Sequence, residues 1–320
     1  KTPRNTTQSQ PQPQSQPQPQ YNHKMGDTVS SLLFQPPPPT KLKEEKIIWL
    51  KTKGGYRIPG FYISYKSSGG VDVSRSLSRE ELQCSSPEQG ITILYSHANA
   101  EDLGSIYPWC KFLSKMLRVN LFAYDYAGYG MAYDKGPPAE DNCYSDIEAA
   151  YHFLRNMLNI PASNIVLYGR SLGSGPSCHL AAGTKDQIGG LILHAPFLSV
   201  YRIVVDTGCT VYGDKFPNID YAPMIETPTL LIHGTNDQIV PFYHSEKLYE
   251  ALNKGSRVKP LFIEGMGHNN VHAAVRGMFV MRIVEFLQEH VEPGIDRAKS
   301  ISMKHSPPLR QRIAVKTLGS

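Results

Sequence analysis

The stretch IVLYGRSLGSGP, residues 165–176, begins as a continuous apolar run and ends in small residues around one serine. Gly169, Ser171 and Gly173 form the pattern G-x-S-x-G between a predicted strand and a predicted helix. In this setting the pattern is typical of a nucleophile elbow, whose strained serine needs small neighbours. A phosphate-cradling turn is the alternative, but the chain contains neither G-x-G-x-x-G nor G-K-[ST]. The stretch therefore predicts an α/β fold with Ser171 as a nucleophile.

Eight short apolar segments predict the strands of one sheet. The first two, KIIWLKT and RIPGFYISY, flank the turn KGGY and predict a hairpin at one edge. The other six are rich in Ile, Leu, Val and Tyr, as expected for parallel strands that are covered on both faces. They are ITILYSHA, NLFAYDY, NIVLYGRS, GLILHAP, TLLIHG and KPLFIEG.

Helical patterns follow the third, fourth, fifth, seventh and eighth of these strands. Strand–helix alternation of this kind produces right-handed crossovers and a doubly wound sheet. We therefore expect a mostly parallel, eight-stranded, doubly wound sheet in residues 45–292. The segment 198–227 is too short for a large lid and predicts a small cap insertion, whereas the Ser-, Gly- and Glu-rich segment 67–90 predicts a surface loop.

Both ends of the chain differ in composition from this predicted domain. Residues 1–44 are rich in Gln and Pro, and residues 293–320 form a basic, serine-rich tail. Neither segment has enough apolar residues to form a core, so we predict that both are disordered. For the tail, a solvated segment and a membrane-binding patch are both open interpretations.

Composition excludes several classes of protein. The 320 residues carry a net charge of +5, which suits a neighbour of anionic lipid but is too small and too dispersed to indicate nucleic acid binding. The five cysteines are scattered and form no CxxC pair, so we expect no disulfide framework or zinc site and a reducing compartment. No apolar run reaches the roughly 18 residues that a membrane-spanning helix needs.

One lipidation motif occurs in the N-terminal segment. MGDTVS, residues 25–30, matches the M-G-x-x-x-[ST] pattern of N-myristoylation. The modification requires translation to begin at Met25, because Gly26 must become the N-terminal residue. A chance match in a tail is the alternative, since the motif is short.

A serine hydroxyl is a weak nucleophile and needs a base that a third group holds in place. Folds with a nucleophile elbow supply these groups in the order Ser, Asp or Glu, and His. Asp237 follows the strand TLLIHG, and His268 follows the strand PLFIEG. Both come just after the carboxyl end of a strand, where an open α/β sheet binds its ligands. We therefore predict Asp237 as the acid and His268 as the base of a triad.

Other carboxylates and imidazoles remain open as alternatives at this stage. The carboxylates belong to the short insertion. The imidazoles lie at the end of the seventh strand, at the start of the helix that follows it, and four residues past His268. These alternatives are Asp206, Asp214, Asp220, His233, His244 and His272.

An oxyanion hole needs backbone N–H groups from two places, the residue after the nucleophile and the loop after the third strand. The second of these is the loop SHANAEDLG. We predict the N–H groups of Leu172 and Asn99, with Ala98 as the competing residue because the sequence does not set the register of the loop. Glu101 and Asp102 are predicted to cap the helix that follows.

Seven segments together resemble the family of α/β-hydrolase domain-containing protein 17, within the broader Bem46-like group. They are HANAEDLG, YDYAGYG, GRSLGSGP, HAPFLS, DKFPNID, HGTNDQIVP and EGMGHNN. The resemblance covers roughly residues 45–291 and implies the α/β-hydrolase fold. Members of this family are serine hydrolases that remove palmitoyl groups from cysteine thioesters of membrane-bound proteins. The resemblance implies Ser171 as nucleophile, Asp237 as triad acid and His268 as base.

The implied reaction is acyl transfer to water without cofactor or metal, on S-acylated membrane-associated proteins. A carboxylesterase or monoacylglycerol lipase acting on small acyl esters is the alternative, and the intact order Ser, Asp, His disfavours a non-catalytic scaffold. Phe197, Leu198 and Tyr201, together with Ile203, follow the sixth strand and are candidates to line an acyl groove. Packing in the core or the cap is an equally open interpretation of these residues.

Two departures from the family pattern bear on the site and on location. The family's usual HGNA is HANA here, so that Ala98 fills a glycine position. Animal members carry an N-terminal cysteine cluster, whereas no cysteine precedes Cys84 in this sequence. The expected location is the cytoplasmic face of membranes, with peripheral attachment through a lipid on Gly26 and the basic tail, because one myristoyl chain binds only marginally.

Overall fold

The computed structural model describes residues 33–43, 46–68, 71–84, 90–205, 208–269, 271 and 273–295. Residues 1–32 and 296–320 lie outside these ranges. The predictions made for Gly26, Asp206, His272 and most of the basic tail therefore fall outside the described residues.

One sheet contains all the strands of the described chain. The strands are β1 (Ile48–Lys51), β2 (Arg57–Ser68), β3 (Val71–Leu77), β4 (Thr92–Ser96), β5 (Asn120–Tyr124), β6 (Ile165–Arg170), β7 (Gly190–His194), β8 (Thr229–Gly234) and β9 (Leu261–Ile263). Their order is β1-β2-β5-β4-β6-β7-β8-β9, and β3 pairs with β2. The pairs from β5 to β9 are parallel, and β2 pairs antiparallel with β1, β3 and β5.

The helices lie on both faces of this sheet. They are α1 (Arg79–Cys84), α2 (Leu103–Leu117), α3 (Glu140–His152), α4 (Ser174–Gly183), α5 (Val200–Val204), α6 (Asn218–Tyr221), α7 (Tyr243–Ala251) and α8 (Ala273–Phe286). Turns of π-helix continue α3 through Phe153–Met157 and α8 through Leu287–Val291. Among the described residues, no helix is both long enough and apolar enough to cross a membrane.

Alternating side chains of the central strands enter two separate cores. Leu94 and Leu167 belong to the core that α3, α4 and α7 cover. Their neighbours Ile93 and Val166 point to the other face and belong to the core beneath α2 and α8. Each central strand is thus apolar on both faces, which explains its continuous hydrophobic run. The predicted α/β-hydrolase architecture with its mostly parallel sheet is confirmed.

The sheet has nine strands rather than the predicted eight. The predicted loop 67–90 contains β3, which pairs with the second half of β2, and the short helix α1. The sequence of β3, VDVSRSL, alternates apolar and polar residues at its start, but its serines and charges give it the composition of a loop. The prediction of a surface loop over this segment was wrong for residues 71–84.

The folded part also begins earlier than the predicted boundary at residue 45. Residues 33–43 pack on the domain, where Phe34 is 4% exposed and its ring lies 6.1 Å from that of Phe216. The N–H of Thr40 donates to Asp102 Oδ2 at 2.5 Å. Prolines in this segment have no N–H to donate, so side chains of the domain, rather than a strand partner, hold its backbone.

Candidate active site

The predicted nucleophile elbow joins β6 to α4. Ser171 directly follows β6, has a φ of +50° and is 8% exposed. A β-carbon on Gly169 would lie 2.5 Å from the carbonyl oxygen of Gly173, and one on Gly173 would overlap the backbone carbonyl of Ser96. Neither position has room for a side chain, so both residues must be glycine. Surrounding contacts hold Ser171 in this strained conformation. One of them is a 2.7 Å hydrogen bond from Ser174 Oγ to the Ser171 carbonyl.

The three residues predicted as a triad meet at the carboxyl edge of the sheet. Ser171 Oγ lies 3.0 Å from His268 Nε2, and His268 Nδ1 lies 2.6 Å from Asp237 Oδ2. Asp237 follows β8 and His268 follows β9, and these two strands are parallel neighbours. The arrangement is that of a serine, a base and an orienting carboxylate.

Asp237 is held in its charged form. Its Oδ1 accepts the N–H groups of Ile239 and Val240, both at 2.9 Å. Burial acts to raise the pKa of Asp237, but the hydrogen bonds from His233 and His268 prevail and hold that pKa below its usual range. An ionised Asp237 accepts a hydrogen bond from Nδ1–H of His268. In this tautomer the lone pair of His268 Nε2 faces Ser171 Oγ and can accept its proton.

His233, an alternative base in the sequence, supports Asp237 from another side. Its Nε2 lies 3.1 Å from Asp237 Oδ2 and 3.0 Å from the carbonyl oxygen of Val240. Both are acceptors, so we assign the proton to Nε2, and Nδ1 then accepts from Ser245 Oγ at 2.6 Å. The position at the end of a strand was visible in the sequence, but the contact with Asp237 was not predicted.

The other described alternatives to the triad acid and base form hydrogen bonds that stabilise the fold. His244 Nδ1 accepts the N–H of Leu198 at 3.1 Å in the core. Asp214 accepts the N–H of Tyr201 at 2.9 Å, and Asp220 accepts from the hydroxyl of Thr210. None of these hydrogen bonds connects to Ser171.

The loop after β4 contains the two candidate oxyanion donors of the sequence analysis, the backbone N–H groups of Ala98 and Asn99. The Ala98 N–H donates to Glu101 Oε2 at 2.9 Å and is therefore occupied. The Ala98 carbonyl is held by His97 Nδ1 at 2.8 Å and by the N–H of Glu101 at 3.2 Å. In a trans peptide the next N–H, that of Asn99, points away from this carbonyl. Among the described residues, neither the Asn99 N–H nor the Leu172 N–H has a hydrogen-bond partner, which favours the predicted pair over Ala98.

The side chain of Asn99 ties this loop to the segment before β1. Its Nδ2 donates to the Leu33 carbonyl at 2.5 Å, and its Oδ1 accepts from the Gln35 N–H at 3.0 Å and from Tyr129 Oη at 2.5 Å. Ala98 is not in the left-handed conformation. An alanine at the family's glycine position therefore introduces no backbone strain.

Only one of the two predicted helix caps is observed. Asp102 caps α2, since its Oδ1 accepts the Ser105 N–H at 2.9 Å and Ser105 Oγ accepts the Asp102 N–H. Glu101 instead forms an ion pair with Arg170, the second residue of the G-x-S-x-G pattern. Arg170 also contacts Asn269 and the carbonyl of His268. No local sequence pattern indicates this contact, because the two partners are 69 residues apart in the chain.

The predicted acyl-groove residues lie on the insertion after β7. Phe197 and Leu198 are each 2% exposed and belong to the core, and Tyr201 is half-buried. The Phe197 carbonyl accepts from Asn218 Nδ2 at 2.9 Å, which ties the insertion together. These contacts give the residues a packing role, and contact with an acyl chain stays a prediction.

Comparison with known proteins connects this site to described families. The model of the prolyl oligopeptidase family matches residues 127–294. The alpha/beta hydrolase domain-containing protein aho-3 of Caenorhabditis elegans is 35% identical over 255 residues, which are 77% of this chain and 74% of the relative. The human alpha/beta hydrolase domain-containing protein 17B is 34% identical over 279 residues, 83% of this chain and 92% of the relative.

Solved structures show the same fold at low sequence identity. The esterase Pf2001 of Pyrococcus furiosus superposes with a TM-score of 0.60 at 16% identity, and covers 80% of this chain and 100% of the esterase. Est1E of Butyrivibrio proteoclasticus has a TM-score of 0.55 at 15% identity, over 76% of this chain and 98% of that one. At such identities the likeness establishes the fold alone.

Proposed function

Because this chain belongs to the α/β-hydrolase family that includes the domain-containing proteins 17B and 17C, we propose that it removes palmitoyl groups from S-acylated proteins. The general class, a serine hydrolase of the α/β type, follows from that membership. The observation that carries the proposal is the hydrogen-bonded series Ser171, His268, Asp237. The thioester substrate rests on the resemblance of the motif set to that family.

In the proposed first step Ser171 Oγ attacks the carbonyl carbon of the thioester. Its proton moves to His268 Nε2, while Asp237 stabilises the imidazolium through Nδ1. The C–S bond then breaks, and the cysteine sulfur leaves as a thiol after taking the proton from His268. In the second step water attacks the acyl-serine ester and gives a proton to His268. The bond between the acyl carbon and Ser171 Oγ then breaks, His268 returns the proton to Ser171 Oγ, and the fatty acid is released.

The charge that develops on the carbonyl oxygen needs fixed donors. We assign this role to the N–H groups of Asn99 and Leu172, at the tip of the loop after β4 and at the start of the helical turn after Ser171. The ends of β4 and β6 are adjacent, with Ser96 paired to Gly169, so both donors belong to neighbouring loops. Preorganised donors of this kind contribute a factor of roughly 100 or more to the rate.

The proposed place of action is the cytoplasmic face of a membrane, where S-acylated proteins are found. Two features of the sequence support it, the net charge of +5 and the motif at Met25, which would place a lipid on Gly26 if translation begins there. A small insertion between β7 and β8 is compatible with a protein substrate, because a large lid would exclude one.

The proposal is tested first with a fluorophosphonate probe, which reacts with activated serines. We expect the wild-type chain to be labelled and Ser171→Ala to remain unlabelled while its circular dichroism spectrum is unchanged. Labelling that persists in the folded Ser171→Ala variant would refute the nucleophile assignment.

A substrate series then separates the two candidate activities. Hydrolysis of a palmitoylated cysteine peptide on lipid vesicles is compared with hydrolysis of short, water-soluble oxyesters and of a monoacylglycerol. We expect the highest kcat/KM for the long-chain thioester. A strong preference for either oxyester class would replace depalmitoylation by a carboxylesterase or monoacylglycerol lipase activity.

A further inference from the structure

We propose that Arg170 and Glu101 are positioning residues that fix the oxyanion loop and the His268 loop relative to Ser171. The inference rests on the proposed hydrolase function. It concerns two charged side chains to which neither the G-x-S-x-G pattern nor the triad assigns a role. Their ion pair spans the gap between the loop after β4 and the end of β6.

On one side of the pair, Glu101 holds the loop that carries the proposed oxyanion donor. One carboxylate oxygen binds Arg170, and the other accepts the Ala98 N–H at 2.9 Å. The Glu101 N–H donates to the Ala98 carbonyl at 3.2 Å. A single residue therefore restrains both polar groups of Ala98, and with them the peptide plane that presents the Asn99 N–H.

On the other side, Arg170 holds the loop that carries the base. Its Nη2 donates to Asn269 Oδ1 at 2.8 Å and lies 3.3 Å from the His268 carbonyl oxygen. Arg170 is also the residue immediately before Ser171. The planar guanidinium can donate in two directions at once, which a lysine ammonium does less precisely. Arg170 thus connects the nucleophile, the base and, through Glu101, the oxyanion loop.

The surroundings make these hydrogen bonds important for the position of the loops. A cavity of about 240 Å³ lies beside the pair, lined among others by Tyr95, Trp109 and His194. Side chains do not fill this space, so packing alone does not fix the loops on this side. The side chains of Arg170 and Glu101 are 11% and 23% exposed, so water screens the pair less than an ion pair at the surface.

The test measures acyl transfer in Arg170→Met, Arg170→Lys and Glu101→Gln with the preferred substrate of the wild type. Misplaced donors stabilise the transition state less and leave ground-state binding of the substrate nearly unchanged. We therefore expect kcat of Arg170→Met to fall roughly 30-fold, with a KM within about threefold of the wild-type value. Arg170→Lys keeps the charge and is expected to restore part of the rate. The double variant Arg170→Met/Glu101→Gln should be no slower than about twice the slower single variant, because both act through one link.

Arg155→Met is the matched control, because it removes an arginine–carboxylate pair with Asp186 elsewhere on the surface. We expect its kcat and KM to equal those of the wild type. Glu101→Gln keeps the shape of the side chain and serves as the main variant if Arg170→Met does not fold.

The outcomes separate this inference from the proposed function. Folded Arg170→Met and Glu101→Gln with wild-type kcat would overturn the positioning role, while labelling of Ser171 would leave the hydrolase function intact. A change confined to KM or to thermal stability would also overturn it. Absence of fluorophosphonate labelling in the wild type would overturn both.

Discussion

The Nε2 atom of His233 lies 3.1 Å from the Oδ2 atom of Asp237, the same oxygen that His268 contacts at 2.6 Å. Asp237 therefore accepts hydrogen bonds from two imidazoles on one oxygen and from two backbone N–H groups on the other. Donors that bind the charged form of a carboxylate lower its pKa. His233 thus helps to keep the proposed triad acid ionised.

His233→Ala is expected to lower kcat/KM roughly 10- to 100-fold, in the range seen when a group that orients a site residue is removed. Without this donor the pKa of Asp237 rises toward its ordinary value. A larger fraction of Asp237 is then protonated at acidic pH, so the deficit relative to wild type should grow as the pH falls. An aspartate with an ordinary pKa near 4 is almost fully ionised above pH 5, so the change should appear below pH 5, and the measurement is the ratio of kcat/KM of the two proteins from about pH 3.5 to pH 7.

His244→Ala provides a control for the loss of a buried imidazole. His244 contacts the Leu198 N–H in the core and has no described hydrogen bond to Asp237. We expect it to lower stability without changing the shape of the pH–rate profile. A deficit of His233→Ala that stays constant from pH 7 down to about pH 3.5 would contradict the role assigned to His233.

Ser171 has a φ of +50°, a conformation that costs a residue with a β-carbon about 1 kcal/mol or more. Ser171→Gly and Ser171→Ala should both be inactive, but they differ in this strain. We expect Ser171→Gly to be the more stable of the two by about 1 kcal/mol, because glycine adopts the left-handed region freely. The free energies of unfolding in urea provide the comparison.

At a helical position, replacing alanine by glycine should change the free energy of unfolding in the opposite direction. Ala149 lies within α3, where Ala149→Gly should destabilise the protein by about 1 kcal/mol. If Ser171→Gly were less stable than Ser171→Ala, the elbow would not store the strain that we infer.

The central strands and the triad could be predicted because each depends on a local pattern. A strand covered on both faces needs a continuous apolar run, and the turns after β6, β8 and β9 carry Ser171, Asp237 and His268 in the order that the fold requires. The carboxyl ends of parallel strands lie at one edge, so the approach of these residues follows from topology.

The missed features depend on partners that are distant in the chain. The ion pair of Glu101 with Arg170 forms because β4 and β6 are neighbours in the sheet, which no local pattern records. Residues 33–43 read as a tail because Asn99 and Asp102, rather than their own composition, hold them in place. The serines and charges of β3 are typical of a loop, so its composition did not predict a strand. It is a strand because it pairs with β2.

Asp102 joins two parts of the fold and offers a test of the N-terminal segment. It accepts the Ser105 N–H as the cap of α2 and the Thr40 N–H from the segment before β1. Loss of an N-cap costs about 1 kcal/mol, and the partly buried Thr40 contact adds to it, so we expect Asp102→Ala to lose about 2 kcal/mol of stability.

Asp102→Asn is the matched control, because its amide oxygen can still accept one of the two N–H groups. Its loss in urea denaturation should be less than half of that in Asp102→Ala. Equal losses in the two variants would show that the charge, rather than the acceptor geometry, stabilises this position.

Asp125 is a buried carboxyl next to the oxyanion loop. Its Oδ1 accepts the Leu103 N–H at 2.8 Å and lies 3.5 Å from Nε2 of His97. Burial raises the pKa of Asp125 to about 8, and burial also lowers the pKa of His97. Burial therefore favours the neutral form of both groups near pH 7. A second buried carboxyl, Asp146, has its pKa raised to about 7 for the same reason.

These raised values predict that the stability contributed by Asp125 and Asp146 is lost as the pH rises. In the unfolded chain an aspartate ionises near pH 4, so between about pH 4 and 8 these two carboxyls bind more protons in the folded state, and their contribution to the free energy of unfolding falls as the pH rises. The lowered pKa of His97 acts in the opposite direction below about pH 6.5. Asp125→Asn keeps the shape without an ionisable proton, so its stability relative to the wild type should rise with pH and exceed that of the wild type at pH 8 by several kcal/mol, at about 1.4 kcal/mol per pKa unit. Asp146→Asn should remove only the part of the pH dependence that Asp146 contributes, which ends near pH 7. Urea denaturation at pH 5 and pH 8 checks the sign, and an Asp125→Asn variant that loses stability relative to wild type on going to pH 8 would show that Asp125 is ionised in the folded protein.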